Sequence, residues 1–185
     1  MVLGLDASTS VVGYAFIIGD KIHDMGFIDL KKFTSIKEKA VHTYETLSEN
    51  EAFNEVTSIC VEDSLMGFSR GRTSVQTIIK LAKFNAVLCF ILGWGTDVEV
   101  HSVNPSTARK QVFGKARVTG MPPKEFVRGQ LESRFDLSEW NKQTTRGNFI
   151  VPSVLIEKRN FKSIYRLAEL TVGCVIFLLT PFHNY

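Results

Sequence analysis

Short apolar runs alternate along this chain with longer segments of helical period. Residues 2–6 read V-L-G-L-D, an apolar run ending in an acid, and residues 11–18 read V-V-G-Y-A-F-I-I. Gly19 and Asp20 form a hairpin signal, and residues 21–30 alternate loosely as a third strand. Three strands joined by tight turns predict an antiparallel meander. Over residues 35–49, Ile36, Ala40, Tyr44 and Leu47 have the spacing of an amphipathic helix. Residues 57–62, T-S-I-C-V-E, make another buried strand that ends in an acid. Residues 64–73 hold Gly67, Arg70, Gly71 and Arg72 and read as a basic loop. A long, largely apolar helix follows over 74–92, with Gly93 and Gly95 as its stop. Residues 97–103 form a strand, and Asn104-Pro105-Ser106 opens a short helix through residue 112. Pro122-Pro123 opens another over about 124–135. Residues 136–158 are polar and aperiodic, long for a loop in a compact domain. A helix over 162–180, ended by Pro181, closes the chain. The order βββαβαβααα belongs to the α/β class.

A length of 185 residues matches one domain, since domains run to roughly 100–200 residues. One domain over 1–185 is therefore expected, and the chain is too short for two domains closing over a substrate. Lys and Arg number 22 against 19 Asp and Glu, a net +3. This mild excess permits a nucleic-acid partner without demanding one. Cys60, Cys89 and Cys174 lie far apart with no C-x-x-C, which argues against a disulfide framework or a zinc site and fits a reducing compartment. The start M-V-L-G-L-D-A-S-T lacks the basic-then-apolar pattern of a signal peptide. The apolar stretches 78–92 and 167–179 carry polar breaks and fall short of the ~20 residues of a membrane span. These features predict an intracellular, cytoplasmic protein with no membrane partner. His23, His42, His101 and His183 show no metal-ligand spacing; all but His101 read as structural, and His101, which ends a strand, is not read as a ligand.

The chemistry is concentrated at the acid-tipped strands. Asp6 and Glu62 each end an apolar run. A solvated acid at a strand end accounts for either residue alone. If the two strands are neighbours, however, the carboxylates meet, and a close pair resists double ionisation. A divalent cation removes that cost, and hard oxygen ligands suit Mg²⁺ or Mn²⁺. Such ions promote phosphodiester hydrolysis.

At this point the sequence resembles a known family. L-G-L-D-A-S-T-S-V-V-G-Y-A-F-I over 3–17 is similar to the opening of the RuvC-type Holliday junction resolvases: a strand ending in Asp, a small-residue turn, then G-Y on a second strand. V-E-D-S-L-M-G over 61–67 falls where that family has its strand-end Glu. V-H-S-V-N-P-S-T-A-R-K-Q-V-F-G-K-A over 100–116 is similar to its strand, Pro-containing turn, basic helix and Gly-Lys segment. The order holds from about residue 2 to 135. The resemblance implies an RNase H-like α/β fold, a five-stranded mixed sheet flanked by helices. It implies a homodimeric, metal-dependent endonuclease that makes symmetric nicks in four-way DNA junctions, a function in recombination and repair. Asp6, Glu62 and Glu169 would hold Mg²⁺ or Mn²⁺, and Lys115 would sit near the scissile phosphate.

The end of the chain departs from the family pattern. Two acids in a D-x-x-D arrangement are expected at the last helix, which here reads Y-R-L-A-E-L-T-V-G. Glu169 occupies the second position, and the first is Arg166. Residues spaced i, i+3 share a helix face, so Arg166 would point at the same site. Asp63 and Glu157 are candidate replacements. Arg166 also sustains a second reading, a catalytically impaired junction-binding domain of the same fold. A third uses the opening motif alone, which is similar to the phosphate-binding hairpin of actin-like ATPases and sugar kinases. Those proteins need two such domains, and no later glycine-rich phosphate loop is present.

Arg109, Lys110, Lys115 and Arg117 cluster closely, with Lys124, Arg128 and Arg134 beyond. The resemblance makes them contacts to the phosphates of branched DNA, while a solvated helical face is the plain alternative. Arg70 and Arg72 would reach the strand being cut, with Phe68 as a stacking surface or as a loop anchor. The helix over 74–92 carries Val75, Ile79, Ala82, Ala86 and Phe90 on one stripe, with Ile78, Leu81, Leu88 and Ile91 nearby. That is too apolar for the surface of a lone monomer. The resemblance makes it the dimer helix, and a central core helix is the alternative.

Overall fold

Alternation decides which way each strand faces. The computed structural model describes residues 1–19, 21–63, 74–115 and 118–121, with Phe126, Gly129, Gln130 and Ser133. The strands are β1 (Val2–Ala7), β2 (Val11–Ile18), β3 (Lys21–Asp29), β4 (Ser58–Glu62) and β5 (Val100–Val103). They form a five-stranded sheet in the order β3-β2-β1-β4-β5. Pairing is antiparallel for β1 with β2 and β2 with β3, and parallel for β1 with β4 and β4 with β5. The meander and the two parallel strands are as the sequence predicts.

Leu3, Leu5 and Ala7 of β1 share a face with Val12 and Phe16 of β2, Ile28 of β3, and Ile59 and Val61 of β4. Against this face pack α1 (Ile36–Ser48) and α2 (Val75–Thr96) through Ala40, Leu47, Phe84, Leu88 and Leu92. The other face carries Val2, Cys60 and Val103, covered by Ala108 of α3 (Pro105–Phe113). The sheet is therefore flanked by helices on both sides, with most of the apolar burial on the α1–α2 side.

Helix ends follow local chemistry. Ser35 caps α1 in a capping box with Glu38. A 3₁₀ turn over Glu51–Glu55, capped by Asn50, then leads into β4. Asn104 accepts from the Ser106 and Thr107 N–H groups, Pro105 starts α3, and Gly114, at φ 70°, ends it.

The long helix differs from its sequence reading. It passes through Gly93 and Gly95 and stops at Asp97, which adopts the left-handed conformation and donates its N–H to the Gly93 carbonyl. Gly95 serves packing: a Cβ there would lie 2.5 Å from the Tyr44 ring, whose hydroxyl donates to the Gly95 carbonyl at 3.0 Å. A single helical glycine costs only ~1 kcal/mol relative to Ala, too little to break a helix seated on the core by Phe84, Leu88 and Leu92. Because 97–99 complete this end, β5 is shorter than expected. The extension also gives α2 22 residues, long and apolar enough by length and composition to cross a membrane, contrary to the expectation for 78–92. Phe84, Leu88 and Leu92 on one side are buried, while Val75, Ile79, Phe90 and Trp94 are exposed. The predicted loop over 136–158 and helix over 162–180 lie outside the described residues, as does most of the helix over 124–135.

Candidate metal centre

The register brings the two acids together. Parallel pairing of β1 and β4 runs from Val2↔Ser58 to Leu5↔Val61, so Asp6 and Glu62 are the next residues on adjacent strands. Both belong to the alternation set opposite Leu5 and Val61, which face the α1–α2 core. They therefore share the α3 face. Asp6 pairs across β2 with Gly13, and Glu62 pairs across β5 with Val103. A row Gly13, Asp6, Glu62, Val103 thus crosses four strands near the carboxyl end of the parallel pair. Gly13 contributes no side chain to crowd Asp6. Asp6 is half-buried and Glu62 is 7% exposed.

Hydrogen bonds fix the backbone around both acids. Immediately after β1, the Ser8 N–H donates to the Val11 carbonyl at 3.1 Å. The Ser8 hydroxyl donates to the same carbonyl at 2.7 Å and accepts from the Val11 N–H at 3.1 Å. The Leu30 N–H donates to the Ser10 carbonyl, and the Lys39 ammonium donates to the Thr9 carbonyl. The A-S-T-S segment after Asp6 therefore folds the hairpin that fixes the end of β1. On β4, the Asp63 N–H donates to the Val103 carbonyl at 3.0 Å. The Asn85 amide, from the buried edge of α2, donates to the Glu62 carbonyl at 2.8 Å.

Two carboxylates on one face of neighbouring strands repel when both are ionised and offer hard oxygens to a divalent cation. With Glu62 almost fully buried, the pair fits Mg²⁺ or Mn²⁺ as two of its ligands. Among the described residues no group of three or more His, Cys, Asp or Glu is placed to hold a metal ion. The third predicted ligand, Glu169, lies outside the described residues, as do Arg166 and Glu157. Asp63 follows Glu62, so alternation turns it toward the α2 side. The thiol of Cys89 on α2 is pushed up by burial and, to a lesser degree, by the Asp63 charge.

The cationic candidates divide in the same way. Ala108 packs on Cys60 and Val103, which places α3 on the sheet face that bears the acids. Arg109 is half-buried on this helix with its Nε enclosed, Lys110 is exposed, and exposed Lys115 follows the Gly114 cap. Phe68, Arg70, Arg72 and Arg117 lie outside the described residues. His101 pairs with Glu99 at 3.7 Å. The residue that sequence reading misses is Asn85. Its one signal is a polar side chain on the buried edge of an apolar helix, between Phe84 and Leu88.

The topology and flanking helices are those of the RNase H-like α/β fold, in the form found in RuvC-type resolvases. No protein-family profile and no curated protein sequence matches the chain, so the likeness is one of structure. Thermus thermophilus RuvC in complex with a Holliday junction substrate superposes with a TM-score of 0.60 at 11% identity, covering 96% of this chain and 93% of that one. A second Thermus thermophilus RuvC structure gives 0.58 at 10% identity, covering 96% and 94%. The yeast mitochondrial Holliday junction resolvase Ydc2 gives 0.64 at 15% identity, covering 95% and 78%.

Proposed function

We propose that this chain is a Holliday junction resolvase, a metal-dependent endonuclease that nicks four-way DNA junctions symmetrically. The observation that carries the reading is the placement of Asp6 and Glu62 side by side on adjacent parallel strands. They lie in the fold of a protein known in complex with a Holliday junction. Asp6 and Glu62, with Glu169, would hold Mg²⁺ or Mn²⁺. When bound, the cation supplies Lewis-acid chemistry for phosphodiester hydrolysis.

The protein's own residues do the remaining work in this reading. The Ser8–Val11 turn and the two bonds at the end of β4 hold the backbone that carries the two acids. Lys110 and Lys115 bring positive charge to the carboxylate face, where DNA phosphates would approach, and Lys115 steadies the phosphate to be cut. Arg109, Arg117, Arg70, Arg72 and Phe68 extend that DNA contact. A single domain over 1–185 carries these parts.

The same reading makes the protein a homodimer through α2. Val75, Ile79, Phe90 and Trp94 leave an exposed apolar stripe, with the Phe90 and Trp94 rings stacked at 6.0 Å. A second copy presents the same stripe, and a two-fold dimer offers two identical sites to a two-fold junction. The test is a synthetic four-way junction in Mg²⁺, with nicking and gel-shift measured in parallel. Wild type nicks two opposed strands. Asp6→Asn, which removes a ligand charge at nearly constant shape, binds but does not nick. A wild type that binds without nicking would make the chain a junction-binding domain, and full nicking by Asp6→Asn would remove the site assignment.

A further inference from the structure

We propose that Asn85 is a positioning residue for the Glu62 carboxylate. The inference rests on reading Asp6 and Glu62 as cation ligands, and it begins from an anomaly in the packing. Residues 84, 88 and 92 mark the buried edge of α2, filled by Phe84, Leu88 and Leu92. Asn85 lies beside them at 8% exposure. Enclosing an amide there is costly, because buried polar groups lose water. Its Oδ1 is enclosed and has no hydrogen-bond partner among the described residues, which adds to the cost. An apolar side chain would fill the position without that penalty. The compensation visible in the structure is one bond, from Nδ2 to the Glu62 carbonyl at 2.8 Å.

That bond falls on the side of Glu62 where the pairing with β1 has run out. The β1–β4 register ends at Leu5↔Val61, one residue before Glu62. On the β5 side, the Asp63 N–H to the Val103 carbonyl secures the next residue. The Glu62 carbonyl is the other end of that same peptide group, so Asn85 and Val103 hold it from both sides and together fix its plane. Fixing that plane restrains ψ of Glu62 and so steadies the backbone from which its side chain leaves the strand. Groups that orient a ligand without touching the metal typically change affinity by 10-fold to 100-fold. Asn85 therefore links the seating of α2 to the geometry of the metal pair.

The test is Mn²⁺ affinity, measured by calorimetry on the full chain alongside thermal melting. Asn85→Leu removes the donor and keeps bulk, Asn85→Ser is the smaller alternative, and Leu88→Ala is a packing control on the same helix. Asn85→Leu should bind Mn²⁺ roughly 10-fold or more weakly. Leu88→Ala should melt lower yet bind as wild type does. If Asn85→Leu fails to fold, Asn85→Ser carries the same expectation. Wild-type affinity in the Asn85 variants would overturn this inference and leave the metal pair standing. Neither Asn85 variant folding, with Leu88→Ala folded, would make the residue purely structural and also overturn it. A wild type that binds no Mn²⁺, or an Asp6→Asn variant that binds as tightly as wild type, would overturn the metal pair and this inference together.

Discussion

Glu62 is almost fully enclosed beside a half-buried Asp6, and two such neighbours repel when both are ionised. Removing one charge should relieve that repulsion. In metal-free buffer Asp6→Asn is expected to melt at or above the wild-type temperature, and added Mg²⁺ should raise the melting temperature of wild type more than that of the variant. Equal Mg²⁺ shifts would contradict the pair as ligands. A half-buried group on β2 has a pH signature. Burial, and then the charge and hydrogen bond of Asp24, push the Tyr14 hydroxyl up to about 12 from the ordinary 10.0. Asp24 also accepts from the Asn50 amide at 2.7 Å, which joins β3 to the 3₁₀ turn. Below pH 10 the tyrosine is neutral folded or unfolded. Between pH 10 and 12 the unfolded chain releases this proton while the folded chain retains it, so folding stability falls as pH rises. The stability advantage of wild type over Tyr14→Phe, read from urea midpoints, should shrink between pH 9 and pH 11. An advantage that stays constant would remove this tyrosine from the alkaline titration.

The elements show why part of the fold is legible in the sequence and part is not. Apolar runs ending in Asp6 and Glu62, and the caps Ser35, Ser74 and Asn104, are local signals, so the strands, three helix starts and both acids can be read directly. That the acids meet depends on register, which alternation alone does not provide. Gly93 and Gly95 look alike in sequence and differ in packing. A Cβ at Gly93 would make ordinary contact with Val100 at 3.6 Å, whereas one at Gly95 would strike the Tyr44 ring. Gly93→Ala should therefore leave stability unchanged or raise it by up to about 1 kcal/mol. Gly95→Ala should lower it, and adding Tyr44→Ala should recover the part due to the clash. Additive losses would mean that the two residues do not interfere. Asn85 is illegible for the same reason as Gly95: its meaning is a contact with the carbonyl of Glu62, 23 residues away.

At the scale of the whole molecule, charge and symmetry make separate demands. If the α3 face meets DNA, junction affinity should fall with salt, with a log–log slope of about −0.9 per phosphate contact. Exposed Lys110 and Lys115 are cleaner probes than half-buried Arg109, and each changed to Ala should flatten the slope by about one contact. Unchanged slopes would move the DNA face elsewhere. If α2 pairs with a second copy, Ile79→Asp or Phe90→Asp should yield monomers in sedimentation, because a charge is placed in buried apolar surface. The demands converge in the cutting of a supercoiled plasmid that extrudes a cruciform, assayed in Mg²⁺ with wild type and Asp6→Asn. Paired symmetric nicks by wild type should convert the plasmid to linear DNA, and Asp6→Asn should leave it supercoiled. A wild type that leaves the cruciform intact, or that cuts a plasmid lacking the inverted repeat equally well, would contradict a junction resolvase built on Asp6 and Glu62.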